Sequence, residues 1–138
     1  MNVSTQEHHR RMKRFVNVCR EKKFPITPQK NAIFQFLAGT TTHPTADDIF
    51  SVIQKQFPTL SLATVYKNLQ KLVQLGLVQE IRTHDKKLRY DARIDSHHHM
   101  VLPNGQVIDV DINEAHIPLP QGVDRDDLSE ISILFYHK

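Results

Sequence analysis

The spacing of hydrophobic residues in the first half of the chain predicts four helices. The first extends over about residues 6–23. Its apolar stripe is formed by Met12, Phe15, Val16 and Cys19. The buried faces of the next three helices are predicted to be Ile33, Phe34 and Leu37, then Ile49, Val52 and Ile53, then Leu62, Val65, Leu69 and Leu72. Each stripe repeats every three or four residues, so each helix has one face for a common core.

Capping residues mark where three of these helices begin. Thr27 precedes a proline at the first helical position, Thr45 opens a sequence that resembles a capping box, and Ser61 is a favoured N-cap. Gly39 and Gly76 are predicted to end the second and fourth helices. The third is expected to end before Pro58.

Beyond Gly76 the pattern changes from helical to strand-like. Residues 77–81 and 87–90 predict two strands, joined by the basic turn His84-Asp85-Lys86. Helices followed by a two-stranded basic hairpin predict a winged helix, in which the helix after Ser61 enters the major groove of DNA.

The rest of the chain is shorter and rich in predicted strands. Residues 99–102 and 106–112 flank a turn with Asn104-Gly105 at its tip, and residues 129–136 predict a closing strand. Three short strands cannot bury two faces alone, so a homodimer is expected. The predicted fold class is α+β, with an N-terminal winged-helix DNA-binding domain and a small C-terminal β-rich dimerisation domain.

Charge divides the chain in the same way. Residues 1–95 hold 16 Lys and Arg against 8 Asp and Glu, whereas residues 96–138 hold 2 against 7. The basic part favours double-stranded DNA as a partner, and the acidic part favours metal cations. A protein-interaction module of the same fold is the alternative for the basic part.

Composition excludes several classes of protein. No apolar run approaches the roughly 18 residues of a membrane span, and residues 1–13 are polar and basic, unlike a secretory signal. A cytoplasmic protein that does not bind membranes is therefore expected. Cys19, the single cysteine, is expected to be a small buried hydrophobe.

Histidine and aspartate are concentrated around the predicted second hairpin. Strand alternation sends His97 and His99 to one face, and Asp109 lies in the partner strand. Asp91 ends the wing, and His43 precedes the third helix. Imidazole and carboxylate together make a divalent metal site without thiolate. The alternative is that the three consecutive histidines are a solvated turn.

The helix after Ser61 carries the candidate DNA contacts. Thr64, Lys67, Asn68 and Lys71 are expected to face outward, with Tyr66 nearby. Asn and Lys can reach base edges, and Thr and Tyr can bind bases or phosphates. The predicted DNA-binding residues are Ser61, Thr64, Tyr66, Lys67, Asn68 and Lys71.

An ordered series of motifs covers nearly the whole chain. It comprises Ile26-Thr27-Pro28-Gln29-Lys30, His43-Pro44-Thr45-Ala46-Asp47-Asp48-Ile49, Ser61-Leu62-Ala63-Thr64-Val65-Tyr66, Arg89-Tyr90-Asp91, His97-x-His99 and Asp109. On these motifs the chain resembles the ferric uptake regulator superfamily, and within it the peroxide-responsive repressors. The resemblance implies a five-ligand site for Fe(II) or Mn(II), formed by His43, Asp91, His97, His99 and Asp109.

The resemblance also implies a mechanism. Iron-sensing members usually have Glu where this chain has Asp91, which favours peroxide sensing. Bound Fe(II) would then react with hydrogen peroxide and oxidise His43 or His97, releasing the metal and the DNA. The expected organisation is a DNA-binding domain at residues 1–91, a hinge at 92–96 and a dimerisation and metal-binding domain at 97–138.

The chain departs from the superfamily pattern at the structural zinc site. Leu102-Pro103-Asn104-Gly105 stands where the first Cys-x-x-Cys pair would be, and no second pair follows before Lys138, so no structural zinc is expected. A possible second metal site involves His98 and His116, with Ser96 where a third ligand would be.

A repressor, not an enzyme, is therefore the expected function. An iron-sensing regulator is the alternative within the superfamily, and a non-haem iron enzyme is the alternative from another class.

Overall fold

The computed structural model describes residues 2–138, which divide into two compact units. One unit ends at Ile94, and the other extends from Asp95 to Lys138. The first contains helices α1 (Thr5–Glu21), α2 (Pro28–Gly39), α3 (Ala46–Ile53) and α4 (Leu62–Gln74) and strands β1 (Gln79–Arg82) and β2 (Leu88–Asp91). The second contains strands β3 (His98–Val101), β4 (Val107–Val110) and β5 (Leu134–Tyr136).

The predicted caps begin the helices as expected. The side-chain oxygens of Thr27 and Ser61 accept hydrogen bonds from backbone N–H groups three residues later, at 3.3 and 3.1 Å. Thr45 and Asp48 form a complete capping box, in which each side chain accepts from the other residue's N–H. Gly76 follows α4 with a φ of 73°, a left-handed conformation that glycine adopts without steric cost.

The core of the first unit lies where the helices meet. The rings of Phe15 and Phe34 stack with centroids 4.5 Å apart and an interplanar angle of 11°, and both residues are fully buried. The expectation that Val52 is buried was wrong, because its side chain is 43% exposed. Ile49 and Ile53 face the core together, and at about 100° per residue Val52 lies roughly a quarter-turn away from them.

Strands β1 and β2 form the predicted wing. They pair antiparallel, with Gln79 opposite Asp91 and Arg82 opposite Leu88. Tyr90 on β2 is buried against the helical core. Burial is the main cause that raises the pKa of its hydroxyl, with a smaller contribution from Glu80, to about 12.

The second unit is a three-stranded sheet in the order β4-β3-β5. Strand β4 pairs antiparallel with β3, and β5 pairs parallel with β3. The closing strand was expected over residues 129–136, but only Leu134–Tyr136 is a strand. Phe135 and Tyr136 on this edge strand are 43% and 39% exposed. The predicted α+β fold class, a winged helix followed by a small β-rich domain, is confirmed.

None of the helices in residues 2–138 combines the length and the apolar character needed to cross a membrane.

Candidate metal centre and nucleic-acid interface

His43 and Asp91 form a buried pair within the first unit. His43 lies in the loop between α2 and α3, and Asp91 is the last residue of β2. His43 Nε2 is 3.2 Å from Asp91 Oδ2, and the two residues are only 3% and 6% exposed. The other carboxylate oxygen, Oδ1, accepts a hydrogen bond of 2.9 Å from the Arg93 N–H. This bond fixes the orientation of the carboxylate, so Oδ2 is directed to the imidazole.

The loop that carries His43 is attached to β2. The Tyr90 N–H donates to the Pro44 carbonyl at 3.0 Å, and Thr45 forms an isolated β-bridge with Arg89. His43 has a φ of 54°, in the left-handed region that non-glycine residues seldom occupy. The attachment of the neighbouring residues to β2 accounts for how this unusual conformation is held beside Asp91.

A second group of ligands lies in the second unit. His99 on β3 is the direct cross-strand partner of Asp109 on β4, and His97 immediately precedes β3. Asp109 Oδ1 lies 3.3 Å from His97 Nε2 and 3.4 Å from His99 Nε2. The two imidazole rings meet edge to face, with centroids 4.6 Å apart. The expected alternation of the histidines is therefore confirmed, since both rings reach the same carboxylate.

The hydrogen bonding of His97 determines which nitrogen is available as a ligand. His97 Nδ1 lies 2.7 Å from the Asp95 carbonyl oxygen, which can only accept, so Nδ1 carries a proton. In the neutral ring, Nε2 then presents a lone pair to the Asp109 carboxylate, which is also an acceptor when ionised. Either a proton on Nε2, which makes the ring an imidazolium that donates to Asp109, or a metal ion bound by both atoms satisfies this pair. A backbone carbonyl that fixes the tautomer in this way is the usual support of a metal-bound histidine.

The ligand atoms of the second unit fit a transition metal. His97, His99 and Asp109 each offer one ligand atom, and these atoms lie within 4.8 Å of one another. Two imidazole nitrogens and a carboxylate oxygen suit Fe(II), Mn(II) or Zn(II). Without thiolate, the set does not favour Cu(I) or an iron–sulfur cluster.

His98 points away from this group. Its Nδ1 accepts a hydrogen bond from the Ile133 N–H at 3.1 Å, and its Nε2 lies 3.9 Å from Glu114 Oε1. The same carboxylate oxygen accepts a hydrogen bond of 2.6 Å from the Ser96 hydroxyl. Sequence reasoning did not select Glu114, because its proximity to β3 depends on the path of the chain after β4. His116 is exposed at the end of the 3-10 turn Glu114–His116.

The exposed face of α4 carries most of the predicted DNA contacts. Tyr66 is 45% exposed, and Lys67 and Lys71 are also exposed. The expectation that Asn68 faces outward was wrong, since this residue is only 8% exposed. Asn68 follows Val65 by three positions, which places it on the buried stripe of the helix.

Other residues of α4 and its cap that were predicted to contact DNA also interact with neighbouring residues of the chain. The Ser61 hydroxyl caps the helix and lies 2.9 Å from the Thr64 hydroxyl. Lys71 Nζ lies 5.7 Å from the centre of the Phe24 ring, and Lys30 Nζ lies 4.1 Å from the same ring. These cations lie close enough to the aromatic face for a favourable interaction.

The tip of the wing is organised by Asp85. Its carboxylate accepts hydrogen bonds from the Thr83 hydroxyl and, at 2.9 Å, from the Lys87 N–H. These bonds, the Thr83 bond first, lower the pKa of Asp85. Lys86 has a φ of 67°, and Lys86 and Lys87 are exposed at the turn. The wing therefore presents two lysines from an ordered turn.

A winged helix with a basic α4, together with clustered His and Asp ligands, defines a DNA-binding protein with a candidate metal centre. Residues 21–123 match the family model described as the ferric uptake regulator family. The chain belongs to this family, which confirms the resemblance predicted from the ordered motifs.

Three known proteins illustrate the relationship. The peroxide operon regulator of Bacillus subtilis (strain 168) is 37% identical over 99 residues, which cover 71% of this chain and 68% of that protein. The crystal structure of the Campylobacter jejuni peroxide stress regulator matches 88% of this chain and 93% of its own, with a TM-score of 0.64 and 26% identity. The structure of PerR from Streptococcus pyogenes, described as giving the structural basis for its peroxide sensing and gene regulation, matches 99% of this chain and 91% of its own, with a TM-score of 0.59 and 27% identity.

Proposed function

We propose that this protein is a transcriptional repressor that binds operator DNA when its metal centre is filled. The observation that carries this proposal is the convergence at Asp109, where the ligand atoms of His97, His99 and this carboxylate lie within 4.8 Å of one another. The winged helix and the family membership support DNA as the partner. Membership of a family of regulators also favours this role over a non-haem iron enzyme.

We propose that the ion is Fe(II) or Mn(II) and that five residues hold it. His97, His99 and Asp109 supply three donors from the second unit, and His43 and Asp91 supply two from the first. Imidazole suits iron and carboxylate suits manganese, so the mixed set accepts either ion. Because His43 and Asp91 belong to the DNA-binding unit, their binding of the ion would couple metal occupancy to that unit, as in a two-state switch.

The names of the relatives support hydrogen peroxide as the signal that this protein senses. Two of the three relatives described above are named for peroxide, and the third is described as sensing it. Bound Fe(II) would supply the redox chemistry that activates hydrogen peroxide. One peroxide oxygen would be added to the imidazole ring of His43 or His97, and the other would leave as water. The modified ring would no longer offer the nitrogen lone pair that binds the metal. This loss would release the metal and then the DNA.

The decisive experiment compares the two metals. The protein is loaded anaerobically with Fe(II) or Mn(II), treated with stoichiometric hydrogen peroxide, and analysed by peptide mass spectrometry and DNA binding in parallel. We expect a gain of one oxygen on the His43 or His97 peptide, together with DNA release, in the Fe(II) sample only. If the Fe(II) protein keeps both its mass and its DNA, peroxide sensing is wrong and reversible iron sensing becomes the function.

We propose that the repressor acts as a homodimer in the cytoplasm and that the dimer forms without a cysteine zinc site. Phe135 and Tyr136 lie exposed on the edge strand β5 and provide an apolar surface for a second copy. Cys19 is the single cysteine in the sequence and is buried, so it cannot supply a four-cysteine site. Light scattering after exhaustive chelation tests this, and dissociation to monomers would show that a metal holds the dimer.

A second metal site at His98 remains a proposal. His98 is 1% exposed, and its Nε2 makes no hydrogen bond within residues 2–138. Glu114 is the nearest candidate ligand, and His116 belongs to the same turn. A metal titration with His98→Ala tests the site, because a second binding event that survives the substitution would exclude it.

A further inference from the structure

We propose that Arg89 is a positioning residue that couples the wing turn to the loop carrying His43. The proposal rests on the function proposed above, in which His43 is a metal ligand and the wing belongs to the DNA-binding surface. In this proposal the Arg89 side chain, within the first unit, makes the conformation of the wing depend on whether His43 has bound a metal ion.

The guanidinium of Arg89 reaches in two directions from β2. Its Nη1 donates to the backbone carbonyl of His43 at 3.4 Å. Its Nη2 lies 3.9 Å from Asp85 Oδ2 at the wing tip. The planar fork of arginine can hold two acceptors at once, which a lysine ammonium at the same place would not do with the same geometry.

The backbone of Arg89 contacts the same loop. Arg89 forms the β-bridge with Thr45, and the next residue, Tyr90, donates to the Pro44 carbonyl. Any movement of His43 when it binds the metal ion is therefore passed to β2 through two contacts, the backbone bridge and the guanidinium. His43 has a left-handed backbone conformation and lies outside any helix or strand, so the Arg89 contact is one of the bonds that hold its carbonyl.

The other end of the connection is the residue that shapes the turn. Asp85 accepts hydrogen bonds from Thr83 and Lys87 and also faces Arg89. A shift of the Arg89 guanidinium therefore acts on the turn that presents Lys86 and Lys87. These two lysines are exposed cations at the turn of the wing, so their placement affects phosphate contacts.

Exposure separates this role from a direct DNA contact. The side chain of Arg89 is 13% exposed, whereas Arg82 on the neighbouring strand β1 is an exposed residue. Arg82 lies on the same hairpin, opposite Leu88, and provides a matched arginine control. A phosphate contact would contribute equally with and without metal, whereas a coupling residue changes the ratio of the two affinities.

The test measures DNA affinity in the presence of Mn(II) and of chelator for the unaltered chain, Arg89→Gln and Arg82→Gln. Coupling between two sites typically changes affinity about 5- to 150-fold. We expect Arg89→Gln to reduce the Mn(II)-to-chelator ratio at least about fivefold and to alter the Mn(II) electron paramagnetic resonance spectrum. Arg82→Gln should leave the ratio and the spectrum unchanged. Arg89→Lys, which keeps the charge without the fork, should restore the ratio only in part.

Several outcomes would overturn the proposal. An unchanged ratio in folded Arg89→Gln, or an equal loss of affinity with metal and with chelator, would reduce Arg89 to an ordinary surface or phosphate-binding arginine. If Arg89→Gln does not fold, Asp85→Asn decides, since it weakens the other end at a 43% exposed position, and an unchanged ratio there rejects the coupling. If the unaltered chain shows no Mn(II) dependence, the proposed function itself fails, and this inference with it.

Discussion

His99 and Asp109 are direct cross-strand partners in the β3–β4 pair, and their Nε2 and Oδ1 atoms lie 3.4 Å apart. Asp109 also meets His97, so one carboxylate joins both imidazoles of the second unit. Loss of this carboxylate should leave the two imidazole nitrogens without their shared acidic partner.

Asp109→Ala should weaken Mn(II) binding at least about tenfold, since even outer partners of metal ligands contribute 10- to 100-fold to affinity. Asp126→Ala is the control, because Asp126 is an exposed acidic residue of the same unit and its substitution removes the same charge. Calorimetric titration with Mn(II) measures both variants. Equal affinities in the two variants would remove Asp109 from the ligand set.

Phe15→Ala should lower the free energy of unfolding by about 3–5 kcal/mol, because the stacked ring against Phe34 is fully buried and its loss leaves a cavity. Val52→Ala, at an exposed position of α3, should change it by no more than about 0.5 kcal/mol. Urea unfolding followed by circular dichroism measures both. A cost at Val52 comparable to that at Phe15 would contradict the arrangement of α3.

Lys67→Gln should weaken operator binding and reduce the slope of affinity against salt concentration by about 1 if its ammonium contacts a phosphate. Metal binding should be unaffected, because Lys67 lies on the exposed face of α4. Lys55→Gln, an exposed lysine that follows α3, serves as the control for charge alone. Fluorescence anisotropy at several salt concentrations gives the slopes, and the same slope for both variants would remove Lys67 from the interface.

Tyr90 should make the protein less stable at alkaline pH. Its pKa is raised to about 12 in the folded protein from an ordinary value of 10.0, so between these pH values the folded state holds a proton that the unfolded state releases. Stability should therefore fall as pH rises from 10 to 12. Unfolding curves for Tyr90→Phe should show a smaller fall across this window, and an identical fall would assign the effect to other groups.

Local chemistry made the helices predictable from sequence. Thr27, Thr45 and Ser61 cap the helices they were expected to cap, because capping depends on residues only three positions apart. The errors concern which face of a helix meets the core. Val52 and Asn68 lie near the boundary between the two faces, and tertiary packing decides on which side such residues fall.

At the candidate site, the contacts that could not be predicted from the sequence are those between distant parts of the chain. Alternation predicted that His97 and His99 share a face, and the Asn104-Gly105 turn set the hairpin that brings Asp109 opposite His99. No local signal indicated that β5 would pair parallel with β3 or that Glu114 would approach His98. Both relationships join residues separated by a connection whose path the sequence pattern does not specify.

The backbone at His43 restricts what evolution or engineering can place there. Its φ of 54° is tolerated by glycine and, among other residues, best by asparagine, aspartate and histidine. The proposed metal site requires an imidazole or carboxylate donor at the same position. Only histidine and aspartate meet both demands, so two unrelated constraints, one conformational and one chemical, together leave this position almost no freedom to vary.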